Sequence, residues 1–111
     1  MDNPKTNQYY LNRSILDLEF VIAHTGGYSQ TEFEDNELLV DSTLFRLIQV
    51  SENSNKLSTV FKQQHPSIPW RAMKGLRNRI VHEYGNVDLS VVYETVRDDI
   101  PELLRNLKSL A

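Results

Sequence analysis

The chain has 111 residues, 40% hydrophobic and 24% charged, with no cysteine and a formal net charge of −3. That length holds one hydrophobic core of ordinary size, not two, and the composition is neither disordered nor fibrous. Without cysteine there are no disulfides, thiolate nucleophiles or Cys-based zinc sites, and 15 acidic against 12 basic residues speaks mildly against a nucleic-acid partner.

The polar start, Met1 to Gln8, lacks the apolar stretch of a secretory signal. The longest apolar run, Phe20 to Ala23, falls far short of the ~20 residues that cross a bilayer. The expectation is a soluble, cytoplasmic protein. Leu11, Ile15, Leu18 and Ile22 recur at helical spacing and predict a first helix that stops at Gly26-Gly27. Ser29 and Glu32 have the spacing of a capping box, with Tyr28 and Phe33 placed for a hydrophobic staple. A second helix starts there, pausing near Asn36. Its stripe resumes at Val40, Leu44, Leu47 and Ile48 and extends through Leu57, Val60 and Phe61 toward His65-Pro66. Ser67-Ile68-Pro69 opens a third helix, running from about Trp70 to Tyr84 and ending at Gly85.

The last segment carries an apolar seam of Leu89, Tyr93, Val96, Ile100, Leu103, Leu107 and Leu110, with Asp88 as its N-cap. Pro101 predicts a kink near Asp98-Asp99, because its ring removes a backbone donor and crowds the preceding turn. No alternating strand pattern of useful length stands out. The expected class is all-α, a single domain over residues 1–111 built as an antiparallel up-and-down bundle of four main helices.

Glycine-rich phosphate loops, HExxH and GxSxG are absent, and His24, His65 and His82 lack the i, i+4 spacing of a helical metal site, so no metal is expected. Asn12-Arg13-Ser14 matches a glycosylation acceptor only formally. The third helix carries the anomaly. With Arg77 at 0° on a helical wheel, the apolar residues Trp70, Met73, Leu76, Ile80, Val81 and Tyr84 fall between about 260° and 40°, and so bracket an arginine. A buried guanidinium requires an anionic partner, a bound anion, or a reach to the edge of the bundle. Glu52, where the second stripe turns polar, is a candidate partner. Asn78 and His82, at about 100° and 140°, form a polar strip beside Arg77.

The stretch Ile68-Pro69-Trp70, then Gly75-Leu76-Arg77-Asn78-Arg79-Ile80-Val81-His82-Glu83-Tyr84, then Val87-Asp88, resembles the signature of the HepT toxins, a branch of the HEPN superfamily of helical bundles. The hallmark is arginine, four residues, histidine, one residue, tyrosine: Arg77, His82 and Tyr84. Ser51 to Leu57 is similar to the family's second-helix segment, with serines at 51 and 54 where glycine and alanine are commoner.

This resemblance implies a metal-independent endoribonuclease with no cofactor. It would be the toxin of a toxin–antitoxin pair whose antitoxin is a nucleotidyltransferase of the MntA type that adenylylates Tyr84. It implies Arg77 and His82 as catalytic residues, Asn78 and Glu52 as supporting ones, and a homodimer or higher homo-oligomer whose site combines both chains. The chemistry suits the residues: histidine titrates in the range needed to move a proton, and arginine offers bidentate donors to phosphoryl oxygens.

Two other readings compete. One is a non-catalytic module binding RNA or a nucleotidyltransferase; the other is a scaffold whose Arg77–Glu52 pair fixes helix register. The charge distribution favours contact with RNA at one place. Lys62, Arg71, Lys74, Arg77 and Arg79 against Glu83 alone give residues 62–84 a net +4, leaving −7 on the rest. Arg71, Lys74 and Arg79 are therefore expected to contact RNA phosphates.

Overall fold

The computed structural model describes residues 6–83 and 86–111, with only the backbone of Val81, His82, Glu83 and Asn86. Among the described residues the fold is all-α apart from one short antiparallel pair of strands. Helix α1 (Asn7–Thr25) starts on Thr6, whose hydroxyl accepts the Tyr9 N–H, and stops where Gly27 takes φ 84°, in the left-handed region that glycine enters without penalty. Helix α2 (Gln30–Asp35) opens on the expected capping box: Ser29 Oγ accepts the Glu32 N–H at 3.1 Å, and the Ser29 N–H donates to Glu32 Oε1 at 2.9 Å. Of the two residues placed for a staple, Phe33 enters the core and Tyr28 lies at the surface. Phe33 is buried with its ring against Tyr93, centroids 5.8 Å apart, while Tyr28 stays exposed and its carbonyl accepts the Tyr93 hydroxyl at 2.7 Å.

The pause near Asn36 is a full break, where the Asn36 side chain caps helix α3 (Glu37–Lys56) by accepting the Leu39 N–H at 3.0 Å. A second break was not foreseen. Ser58 caps helix α4 (Thr59–Gln64), and the Asn7 side chain from α1 both accepts the Ser58 N–H at 2.9 Å and donates to its hydroxyl at 3.1 Å.

The third predicted helix is shorter and divided: α5 (Trp70–Lys74), a turn at Gly75, and α6 (Leu76–Ile80). The chain then leaves the helix for strand β1 (Val81–Glu83), paired antiparallel with β2 (Asn86–Val87) with Val81 opposite Val87. The expectation of helix as far as Tyr84 is thus corrected at Ile80. The physical reason is the β-branched Ile80-Val81 pair, which favours an extended backbone over a helix; the expected end at Tyr84-Gly85 lies outside the described residues.

Helix α7 (Leu89–Glu94) begins at Asp88, which accepts the N–H groups of Ser90 and Val91. The interruption at Pro101 takes the form of a π-turn over Thr95–Asp99 leading directly into helix α8 (Ile100–Lys108), with the Ile100 N–H bonded to the Thr95 carbonyl. The wider turn accommodates the carbonyl that the proline ring would strike. The seam survives it: Val96, Ile100, Leu103 and Leu107 are all buried.

Helix α1 packs against α3 and α8, α3 against α5 and α6, and α2 and α6 against α7. These contacts enclose one core, in which Leu11, Leu18, Phe33, Leu47, Met73, Leu76, Ile80 and Ile100 are each at most 1% exposed. No helix among the described residues is long and apolar enough to cross a membrane.

Candidate active site

The basic segment is anchored from three directions. Trp70 begins α5 with its indole N–H shared between the carbonyls of Lys62 (3.1 Å) and His65 (2.9 Å), which fixes α5 to the end of α4. Below the helices, Met73, Leu76 and Ile80 enter the core. At the junction, the buried hydroxyl of Ser51 on α3 donates to the Lys74 carbonyl at 2.7 Å, one residue before the turn at Gly75. Ser54 in turn donates to the Ser51 carbonyl at 2.8 Å. The two serines that depart from the commoner family residues therefore form a hydrogen-bonded step under the α5–α6 junction.

Arg71, Lys74, Arg77, Asn78 and Arg79 are all exposed on this segment. Arg77 is not buried as the wheel implied. The upper part of that apolar arc came from Trp70, Val81 and Tyr84. Trp70 is only half-buried, and α6 has ended before residues 81 and 84. The buried set contracts to Met73, Leu76 and Ile80, at about 260° to 320°, and Arg77 lies at its rim. Glu52 is also exposed, and among the described residues it forms no ion pair with Arg77, so the register pair proposed for them is absent.

Arg79 is engaged. Its Nη1 lies 3.3 Å from Asp99 Oδ2 in the π-turn, and both side chains remain solvated. Arg77, by contrast, has no ion pair among the described residues. His82 follows two residues after Arg79's neighbour Ile80, in β1; its side chain and the whole of Tyr84 lie outside the described residues. The backbone thus delivers Arg77 and Asn78 on a short helix and His82 on the strand that directly continues it.

Sequence reasoning missed a groove of about 420 Å³ between α5–α6 and α8, with Met73, Leu76, Ile100 and Leu103 in its wall and the Arg79–Asp99 pair at its edge. Pairing between residues 20 apart through a π-turn leaves no periodic signal. The remaining described histidines have other company: His24 stacks on Phe20 at 4.0 Å between centroids and its Nδ1–H reaches the Phe20 carbonyl at 2.8 Å, while His65 lies against Phe61 at 4.8 Å.

Comparison with known proteins gives a consistent result. The family profile described as Ribonuclease HepT-like matches residues 15–110. A protein of Caldanaerobacter subterraneus subsp. tengcongensis, provisionally named RNase TTE0752, is 29% identical over 96% of this chain and 95% of its own length. One from Methanocaldococcus jannaschii, provisionally named RNase MJ1380, is 27% identical over 79% and 81%. A third, from Thermococcus cleftensis and provisionally named ribonuclease HepT, is 39% identical over 55% and 56%. No solved structure matches the chain significantly.

Proposed function

The chain belongs to the HepT-like ribonuclease family, and we propose that its endoribonuclease site is built on Arg77 and His82 and cleaves RNA without a metal. The supporting observation is that Arg77 is exposed and unpaired among the described residues, on a five-residue helix that runs straight into the strand bearing His82, whereas Arg79 beside it is held by Asp99. A cation that is already neutralised cannot stabilise developing phosphoryl charge; an unpaired one can.

In the reaction, an imidazole accepts the proton of a ribose 2′-hydroxyl, the oxygen attacks the adjacent phosphorus, and the 5′-oxygen of the next nucleotide leaves with a proton, giving a 2′,3′-cyclic phosphate. His82 is the proton-transfer group and the Arg77 guanidinium binds the non-bridging oxygens. Asn78 orients the phosphate or His82, and Arg71 and Lys74 hold flanking phosphates. With one such histidine per chain, two chains across a two-fold axis complete a site with both an acid and a base.

In this reading residues 1–111 act as one domain in the cytoplasm, as the toxin of a toxin–antitoxin pair with tRNA among its substrates. The antitoxin is a nucleotidyltransferase. Its chemistry joins the Tyr84 phenolic oxygen to the α-phosphorus of ATP with release of pyrophosphate. The added phosphate places negative charge near Arg77 and its bulk obstructs RNA.

The test is incubation of the purified, unmodified chain with total RNA and tRNA in the presence of EDTA. Cyclic-phosphate ends are expected, lost by at least about 100-fold in His82→Ala and Arg77→Ala. RNA left intact by the wild-type chain overturns the reading.

A further inference from the structure

The most acidic part of the chain adjoins two of the three most exposed large apolar side chains among the described residues. Between Arg13 and Arg46 there is no lysine or arginine, and Glu32, Glu34, Asp35, Glu37 and Asp41 fall within ten residues of one another. Among them, Leu38 is 79% exposed, and Phe45, two turns along the same face of α3, is 59% exposed. Two adjoining grooves connect these residues. One, of about 310 Å³, is lined by Phe20, Asp41, Ser42, Phe45 and Arg46. The other, of about 240 Å³, shares Phe20 and Ser42 and continues past His24, Tyr28 and Leu38. The only guanidinium here is committed: Arg46 is paired with Asp17 at 2.8 Å and lies over the Phe20 ring at 4.0 Å.

Leucine and phenylalanine exposed to this degree on one helix face are anchors for a partner, and the charge around them selects its kind. RNA is repelled by the carboxylates. A second copy seated face to face would set the acidic rim against itself. The complementary occupant is a protein surface with lysines or arginines around one or two apolar side chains.

Position suits the nucleotidyltransferase of the reading above. Tyr28, in the groove, accepts the Tyr93 hydroxyl from α7, Phe33 of α2 packs on the same ring, and α7 begins two residues after β2, the second strand of the hairpin that follows Arg77. An enzyme gripping this face is brought to the end of the molecule where the hairpin joins α7.

We propose that the groove between α1 and α3, with its acidic rim, is the docking surface for the nucleotidyltransferase partner, engaging a basic, apolar-tipped face of that enzyme. This rests on the pairing proposed above and deepens it by locating the contact away from the RNA-cleaving residues.

The experiment co-expresses the full chain with an MntA-type nucleotidyltransferase from the same host and measures the affinity of the complex by titration and the adenylate on the chain by intact mass. Glu37→Lys/Asp41→Lys and, separately, Leu38→Ala/Phe45→Ala are expected to weaken the complex at least 10-fold and to reduce adenylylation, with RNA cleavage by the unmodified chain unchanged. Wild-type affinity should also fall as salt is raised. Variants that bind and are modified like wild type overturn the proposal while leaving the pairing intact. Variants that instead lose RNA cleavage assign the face to RNA, and variants that change the oligomeric state assign it to a second copy; either overturns the proposal. A wild-type chain that neither binds nor is modified overturns the pairing itself and this assignment with it.

Discussion

Arg46 of α3 reaches across to Asp17 of α1 and sets its Nη1 2.8 Å from Oδ1 of a carboxylate whose side chain is 1% exposed, while the arginine itself remains 28% exposed. This is the ion pair that fixes the two longest helices relative to one another, and the Phe20 ring shields its outer side.

Removing the cation strands a buried charge, so Arg46→Ala is expected to cost about 2–3 kcal/mol, below the range for a fully buried pair because Arg46 is partly solvated. Replacing both residues, Asp17→Leu with Arg46→Met, should cost less than Arg46→Ala alone. Urea unfolding of the two variants checks the order; equal or reversed losses would show that the pair does not hold the α1–α3 interface.

Ser51→Ala removes the donor to the Lys74 carbonyl under the α5–α6 junction. A stability loss of about 1–2 kcal/mol is expected, that of a buried hydrogen bond left half-made. RNA cleavage should fall several-fold in turnover with little change in KM, since the junction sets the direction of α6 and Arg77. Steady-state kinetics beside urea unfolding separates the two effects.

Asp99→Asn releases Arg79. Both partners are well solvated, at 41% and 54% exposure, so stability should change by no more than about 0.5 kcal/mol. A freed guanidinium adds a phosphate contact, and the dependence of RNA affinity on salt should steepen by about one counterion. Anisotropy titrations at several salt concentrations measure it, and an unchanged slope would leave Arg79 out of RNA binding.

The Arg97 guanidinium donates to both oxygens of the adjacent Asp98, at 2.8 and 3.0 Å, and holds its carboxyl below the ordinary carboxylate range, chiefly through these hydrogen bonds and then through charge attraction. Because the folded value is depressed, any stability from this pair is complete above the ordinary value of about 4 and disappears as pH falls through the lowered one. An NMR titration should find Asp98 below that value in the wild-type chain and returned to it in Arg97→Ala.

What the sequence settled is local. The capping box at Ser29, the stop at Gly26-Gly27 and the cap at Asp88 are bonds closed within a few residues or a backbone angle open to glycine, so they were legible without knowing what lies opposite. The seam of α7 and α8 was legible for the same reason, since one face of a helix is buried whatever covers it. The motif arginine, histidine and tyrosine came from a resemblance to the HepT toxins, and the chain matches that family over residues 15–110. The sequence did not reveal which charges meet. It suggested a buried pair at Arg77 and Glu52, and the folded chain instead has a half-buried one at Arg46 and Asp17, 29 residues apart, with Arg77 left exposed. Partner choice depends on which helices pack and where each one ends. The helix ending at Ile80 rather than Tyr84 turned Arg77 from an apparent core residue into a rim residue, because burial is a property of the packed chain and a helical wheel is valid only as far as its helix runs.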